Sequence, residues 1–207
     1  ASLDGRTAMA DGESKWITGD AARADVQRWR ARSSAILTGV STVLADDPAL
    51  NVRDMNIGRQ PLRVVLDSRL RMPPGARMLR GEGKTLIVTA SEDAALTETL
   101  KKAGAEVTPI STPQMTVDLV ALLKHLAWLE VNEVLVEAGA TLCGALLRMN
   151  LVDELILYYA PHIMGNNERG MFMLPPLRRM SDRINLEIVD MRPIGKDWRV
   201  IAKLSEK

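Results

Sequence analysis

The sequence predicts an α/β protein in three layers: a mostly parallel sheet with helices on both faces and an antiparallel hairpin at its carboxyl end. Three observations predict it. Short apolar runs alternate with segments of helical spacing, the pattern of strand–helix–strand units. The apolar content is aliphatic, because Phe, Tyr and Trp make up only 3% of the 207 residues, and branched aliphatic side chains suit strands covered on both faces. The tail then changes to alternation of apolar and polar residues, which marks paired strands with one wet face.

Asp20 can cap a helix running to Arg32, on which Ala22, Val26 and Trp29 share a face. Strands are expected at 35–38, 62–67 and 84–89. A helix over 91–103 stops at Gly104, and a strand follows at 105–110. The leucines at 119, 122, 123, 126 and 129 form one stripe of a helix over 117–131. Next come a short strand at 133–138, a helix at 141–149 and a strand at 154–160. Residues 185–191 and 198–204 pair as a hairpin around Gly195-Lys196-Asp197. The loops at 71–83 and 165–182 are rich in Pro or Gly, but neither has the composition of a domain linker, so 1–207 is read as one domain. Met171, Met173 and Met180 are expected to fill gaps in the core.

Composition narrows the function classes. A chain that is 46% hydrophobic and 26% charged is an ordinary globular one, and its net charge of +1 supplies no basic field for nucleic acid. One cysteine, Cys143, rules out an internal disulfide framework, and with two histidines it makes no usual zinc site. There is no uninterrupted apolar run of about 18 residues and no signal-like amino terminus, so no membrane span is expected and the cytoplasm is the default compartment. The chain opens at Ala1 without methionine and reads as a piece of a longer polypeptide.

The densest chemistry lies at 38–53, where an apolar strand ends in Thr38-Gly39, hydroxyl residues, Asp46-Asp47-Pro48 and Arg53. A buried strand ending in Gly and hydroxyls brings backbone N–H groups to a ligand at its carboxyl end; a plain strand followed by an Asp-Pro turn is the alternative. A second such junction is Glu137-Ala-Gly-Ala-Thr-Leu-Cys-Gly144, in which Gly139 allows close approach to a phosphate at a helix N-terminus. It is neither a P-loop nor a dinucleotide-binding glycine fingerprint. Glu137 closes an apolar strand, so it needs either a cationic partner or a ligand. Trp16 suits a hydrophobic staple or a stacking wall. Ser68-Arg69, at another strand end, suits a phosphate or a solvated turn.

Taken in order, Ala1-Ser-Leu-Asp-Gly-Arg-Thr-Ala, Ser14-Lys-Trp-Ile-Thr, Thr42-Val-Leu-Ala-Asp-Asp-Pro-Ala-Leu-Asn-Val-Arg53, Asp67-Ser-Arg, Val136-Glu-Ala-Gly-Ala-Thr-Leu and Leu151-Val-Asp-Glu-Leu resemble the reductase-domain family of the bacterial bifunctional riboflavin biosynthesis proteins. The resemblance implies a dihydrofolate-reductase-like fold. It also implies NADPH-dependent reduction of 5-amino-6-(5-phosphoribosylamino)uracil to its ribitylamino product, by hydride transfer from nicotinamide C4 to C1′ of the ribosyl group. Carried over by motif, Trp16, Thr42, Asp46, Ser68 and Gly139, Ala140, Thr141, Leu142, Cys143, Gly144 and Ala145 would contact NADPH. Ser14, Arg30, Leu50, Arg53 and Glu137 would contact the substrate, with Arg53 and Arg30 on its phosphate and with Glu137 and Asp46 as the catalytic carboxylates.

The family precedent implies a homodimer, and the deaminase domain that usually accompanies such reductases would belong to a longer parent chain. Its His-x-Glu and Pro-Cys-x-x-Cys motifs are absent from these residues, so neither metal chemistry nor deamination is expected of them. Two other readings stand beside this one. The first is a reductase of the same fold acting on a pterin or another ribosylaminopyrimidine. The second is a non-catalytic nucleotide-binding or oligomerisation module.

Overall fold

Contacts gather into two compact units, Gln27–Gly139 and Ala1–Val26 with the chain from Ala140 onward. A computed structural model describes residues 1–205. In chain order its elements are β1 (Arg6–Ala8), α1 (Asp20–Arg32), β2 (Ala35–Gly39), α2 (Val40–Asp46), β3 (Leu62–Leu66), β4 (Thr85–Thr89), α3 (Ala94–Lys102), β5 (Ala105–Pro109) and α4 (Leu119–Trp128). They continue with β6 (Val134–Val136), α5 (Ala140–Arg148), β7 (Glu154–Tyr159), β8 (Arg169–Gly170), β9 (Leu186–Ile194) and β10 (Asp197–Leu204).

The 27–139 unit is built on a five-stranded parallel sheet in the order β5-β4-β3-β2-β6. Its central strands read as unbroken apolar runs because neither face meets water: Ile36, Leu37, Val64, Val65, Ile87 and Val88 are fully buried. Val40, Val43, Leu50, Met72, Met78 and Leu100 join Ile36, Val65 and Ile87 in one cluster. Each fully buried aliphatic side chain stabilises the unit by about 1.5–3 kcal/mol.

Caps set the helix limits more tightly than the apolar stripes suggested. The Asp93 carboxylate accepts from Leu96 N–H, and Asp118 accepts from the N–H groups of Val120 and Ala121, so α3 and α4 begin just after them. Arg63, only 2% exposed, is satisfied without a carboxylate: it donates to Thr85 Oγ1 at 3.0 Å, Glu82 O at 2.8 Å and Gly83 O at 2.6 Å.

One helix was not expected. Residues 40–46, rich in Val, Ser and Thr, have weak helix propensity. They form α2 because Val40 and Val43, one turn apart, bury together in the core, and because Asp47 ends the helix in the left-handed region at φ 41°. The hydroxyls and carboxylates at 41–46 therefore ride on a helix rather than in a loop.

In the other unit, β7, β10 and β9 make an antiparallel sheet of their own. The expected hairpin is present, with Ile194 opposite Asp197 across the two-residue turn Gly195-Lys196. Gly195 has φ +63°, which this kind of tight turn needs. The short pair β1–β8 carries too few residues to show a strand pattern in the sequence.

A charged network crosses this unit. Asp25 of α1, 5% exposed, accepts from Tyr158 Oη at 2.6 Å and from Arg199 Nη1 at 2.8 Å, while Arg199 also reaches Asp190 at 3.1 Å. The methionine expectation fails for two of the three: Met173 and Met180 are 64% and 76% exposed, because they lie outside any core, whereas Met171 is half-buried.

Candidate active site

The strand order of the 27–139 unit locates a crevice. From β2 the chain steps outward through β3, β4 and β5, and α4 then carries it back so that β6 pairs with the opposite edge of β2. The strand order therefore reverses between β2 and β6, and such a reversal opens a ligand crevice at the carboxyl ends of the two strands. Those ends are Thr38-Gly39 and Glu137-Ala138-Gly139, joined by the hydrogen bond from Glu137 N–H to Leu37 O at 2.9 Å. The two glycine-containing junctions singled out by the sequence are thus neighbours. Nothing lies within 4 Å of the position a β-carbon would take at Gly39 or Gly139, so both backbones are open to close approach.

Glu137 has the cationic partner that its position demanded. Arg30, in the last turns of α1, donates from Nε to Glu137 Oε1 and from Nη2 to Oε2, both at 2.6 Å. Its remaining nitrogen, Nη1, donates to the carbonyl oxygen of Asn51 at 3.0 Å. The pair is largely shielded, with side chains 12% and 25% exposed.

The 47–53 segment is fastened along its length. Asp47 Oδ1 accepts from Arg77 N–H, Gln60 both accepts from Val52 N–H and donates to Val52 O, and Gln27 Oε1 accepts from Arg53 N–H. Gln27, Asn51 and Gln60 were missed by the sequence reading. An amide side chain that mimics a strand partner leaves no periodic or motif signal, and Asn51 was passed over inside its own block.

The other residues expected in this unit fall as follows. Thr42 and Asp46 lie on α2, half-buried and exposed. The Leu50 side chain is 4% exposed and part of the core, so any ligand contact it makes is through its main chain at φ 43°. Arg53 is exposed, and its guanidinium has no ion-pair partner among the described residues. Ser68 and Arg69 sit on a turn after β3 that buried Asp67 organises, its carboxylate accepting from Met72 N–H at 2.7 Å. Arg69 is likewise exposed and without an ion pair among the described residues.

In the other unit, Ser14 is half-buried in the irregular segment before α1. Trp16 is 70% exposed, with the Arg23 guanidinium 4.4 Å above its ring centre. It neither staples α1 nor enters a core; with Thr18, Gly19 and Lys196 it lines a hollow of about 380 Å³. Ala140, Thr141, Leu142, Cys143, Gly144 and Ala145 form the first half of α5, where Ala140 O accepts from Met173 N–H at 2.9 Å. Among the described residues no three His, Cys, Asp or Glu side chains gather as a metal ion would need, and no helix is long and apolar enough to cross a membrane.

Comparison with known proteins decides the family. The model of the RibD C-terminal domain matches residues 1–200. The chain belongs to the RibD C-terminal domain family. It is 43% identical to the riboflavin biosynthesis protein RibD of Escherichia coli over 95% of its own length and 56% of that protein's. It is 34% identical to a 5-amino-6-(5-phosphoribosylamino)uracil reductase of Buchnera aphidicola, covering 93% of this chain and 97% of that one. Among solved structures, Acinetobacter baumannii RibD (form 1) superposes with a TM-score of 0.88 at 39% identity, over 99% of this chain and 56% of that one. An Enterococcus faecalis dihydrofolate reductase, 12% identical over 99% of this chain and 92% of that one, shares the fold with a TM-score of 0.51. The chain spans about half the length of the RibD proteins it matches.

Proposed function

We propose that this RibD C-terminal domain reduces the ribosyl group of 5-amino-6-(5-phosphoribosylamino)uracil to the ribityl group, with NADPH as the reductant. The observation that carries the reading is the Buchnera relative: a protein named for this one reductase activity is matched over 97% of its length. In longer RibD proteins a deaminase domain fits the length this chain does not span.

The residues present fit the cofactor. Gly139 leaves open space where a β-carbon would stand, and Ser68 with Arg69 offers a hydroxyl and an unpaired guanidinium suited to a 2′-phosphate. The family motif assigns to the cofactor also Trp16, Thr42 and Asp46 and, in the first half of α5, residues 140–145. When bound, NADPH supplies the hydride. The chain contributes position: reacting carbons held about 3–3.5 Å apart account for much of such a rate enhancement.

Arg53, exposed and unpaired, would hold the substrate phosphate by charge-assisted hydrogen bonds. Glu137 uses both oxygens on Arg30 yet keeps lone pairs that would accept from a ribose hydroxyl or the exocyclic amine. The reduction also consumes a proton at the exocyclic nitrogen, and Asp46 or water would deliver it. Ser14 and the Leu50 main chain would line the remaining substrate surface.

The test is the loss of reduced-nicotinamide absorbance when NADPH and the phosphoribosylaminouracil are added together. Oxidation dependent on that substrate is expected. NADPH binding without turnover would leave a nucleotide-binding module, and equal turnover of the dephosphorylated analogue would leave a reductase of different specificity.

A second copy of the chain is the expected partner. β9 is an edge strand on which Leu186, Ile188, Val189 and Met191 are 42–60% exposed, an apolar edge that monomers normally guard. Light scattering on the parent and on Ile188→Lys tests this reading; a monomeric parent would end it. A cytoplasmic location suits the proposed biosynthetic role.

A further inference from the structure

We infer that Asp197 and Arg23 are positioning residues: from the β9–β10 turn and from α1 they hold the 14–19 segment, and with it the Trp16 indole, in the pose that meets a ligand. That role rests on the reading of Trp16 as an NADPH contact. Residues 14–19 lie in neither helix nor strand, so no regular ladder of main-chain bonds fixes them. Trp16 is 70% exposed, so burial does not fix its ring either. An exposed side chain on irregular backbone gives little affinity unless something orders it beforehand, because the ordering entropy is otherwise lost on binding.

Asp197 supplies one hold. It opens β10 and is fully buried, and its Oδ2 accepts from Gly19 N–H at 2.7 Å. Gly19 is where the segment meets α1, and its own carbonyl accepts from Arg23 N–H at 3.1 Å. The carboxylate therefore stands at the positive end of α1, where negative charge is favoured. Its other oxygen, Oδ1, is buried without a hydrogen-bond partner among the described residues; the Ala1 ammonium, which donates to Tyr158 O at 2.7 Å, feels its charge. A buried carboxylate with so few hydrogen bonds is costly to keep, and the bond it keeps is to the 14–19 segment. The turn is closely seated too: a β-carbon at Gly195 would lie 2.8 Å from that of Ala21, and one at Gly19 would lie 3.1 Å from Lys196 Cε.

Arg23 supplies the other hold. One turn into α1, it donates from Nη1 to Thr18 O at 2.5 Å and from Nη2 to the Asp20 carboxylate. Its guanidinium also lies 4.4 Å from the centre of the Trp16 ring. A planar head group can bond within its plane while its face stacks on an aromatic ring, which a lysine ammonium cannot do. Arg23 thus covers one face of the indole and leaves the other to be presented. Hairpin and helix together fix Gly19, Thr18 and Trp16.

The experiment uses the whole chain with Asp197→Ala, Asp197→Asn, Arg23→Met, Trp16→Ala, Asp197→Ala/Trp16→Ala and Arg23→Met/Trp16→Ala, each checked for fold by circular dichroism. Amide hydrogen exchange without nucleotide gives the first readout. Exchange at Gly19 should quicken roughly tenfold or more in Asp197→Ala and stay near the parent rate in Asp197→Asn, whose side-chain oxygen still accepts the bond. Unchanged exchange at Gly19 in a folded Asp197→Ala would overturn the inference.

The second readout is the Kd for NADPH. Asp197→Ala and Arg23→Met should each weaken binding roughly tenfold, Asp197→Asn should bind nearly as the parent does, and both double variants should match Trp16→Ala. A residue that only supports the fold would lower affinity whether or not Trp16 is present. Losses that add in the double variants therefore end the inference, as does parent-like affinity in the single ones. Arg23→Met and its double variant carry this test if Asp197→Ala does not fold. If the parent binds no NADPH, the cofactor reading falls and exchange at Gly19 decides the hold on the segment alone.

Discussion

Gly144 and Met173 are in main-chain contact: a β-carbon at Gly144 would lie 2.1 Å from the Met173 carbonyl oxygen and 2.7 Å from its carbonyl carbon. The 171–173 segment is docked there by the hydrogen bond from Met173 N–H to Ala140 O. Because the colliding atoms are backbone, neither partner can turn aside. Gly144→Ala is expected to destabilise the fold by about 3 kcal/mol, as overpacking against a rigid neighbour does, measured by urea unfolding. Gly139→Ala, with open space around it, should cost far less stability and instead weaken nucleotide binding.

The Asp25–Arg199 pair makes a second case. With side chains 6% and 11% exposed, removing one charge takes its counter-charge from the other in a place that water reaches poorly. Arg199→Met should cost about 3–5 kcal/mol, while replacing both partners with apolar residues of similar volume should cost less than that. Tyr158→Phe deletes a single hydrogen bond to the same carboxylate and should cost about 1–3 kcal/mol. Denaturant midpoints of the two single variants and of the double variant settle the order.

Asp4 carries an acid-dependent contribution. Its carboxylate accepts from Ser2 Oγ first of all, then from the N–H groups of Gly165 and Met164, and these bonds lower its pKa to about 2 from 3.8. A lowered folded-state value means the stabilisation is complete above the unfolded pKa and is lost as pH falls through the folded one. The difference in stability between the parent and Asp4→Asn should therefore be constant above about pH 5 and shrink between pH 4 and pH 2. A gap that does not change with pH would show that the clasp does not depend on the charge of Asp4.

The unpaired guanidinium of Arg69 predicts cofactor preference. Losing charge-assisted hydrogen bonds to a phosphate costs about 1.5–3 kcal/mol, or roughly 10- to 100-fold in affinity. Arg69→Ala should raise the KM for NADPH by that factor and leave the weaker use of NADH unchanged. Steady-state kinetics with both nucleotides tests it, and an equal effect on the two would remove Arg69 from the 2′-phosphate site.

By itself the sequence determined what depends on neighbours along the chain. Periodicity located β3, β4, β5, α4 and the β9–β10 hairpin, and the block from Thr42 to Arg53 with Glu137-Ala-Gly identified the family later matched over residues 1–200. These features arise from propensity, capping and alternation, which act over a few residues. Tertiary structure alone decided the rest. It made a helix of Val40–Asp46, because buried Val40 and Val43 outweigh weak propensity. It set β6 beside β2 and so opened the crevice, and it chose Arg30 from 27 Lys and Arg residues as the partner of Glu137, 107 positions away. It left Met173 exposed while pressing its backbone onto Gly144. Strand order and side-chain pairing are set by which distant segments burial brings together, and no local pattern encodes that choice.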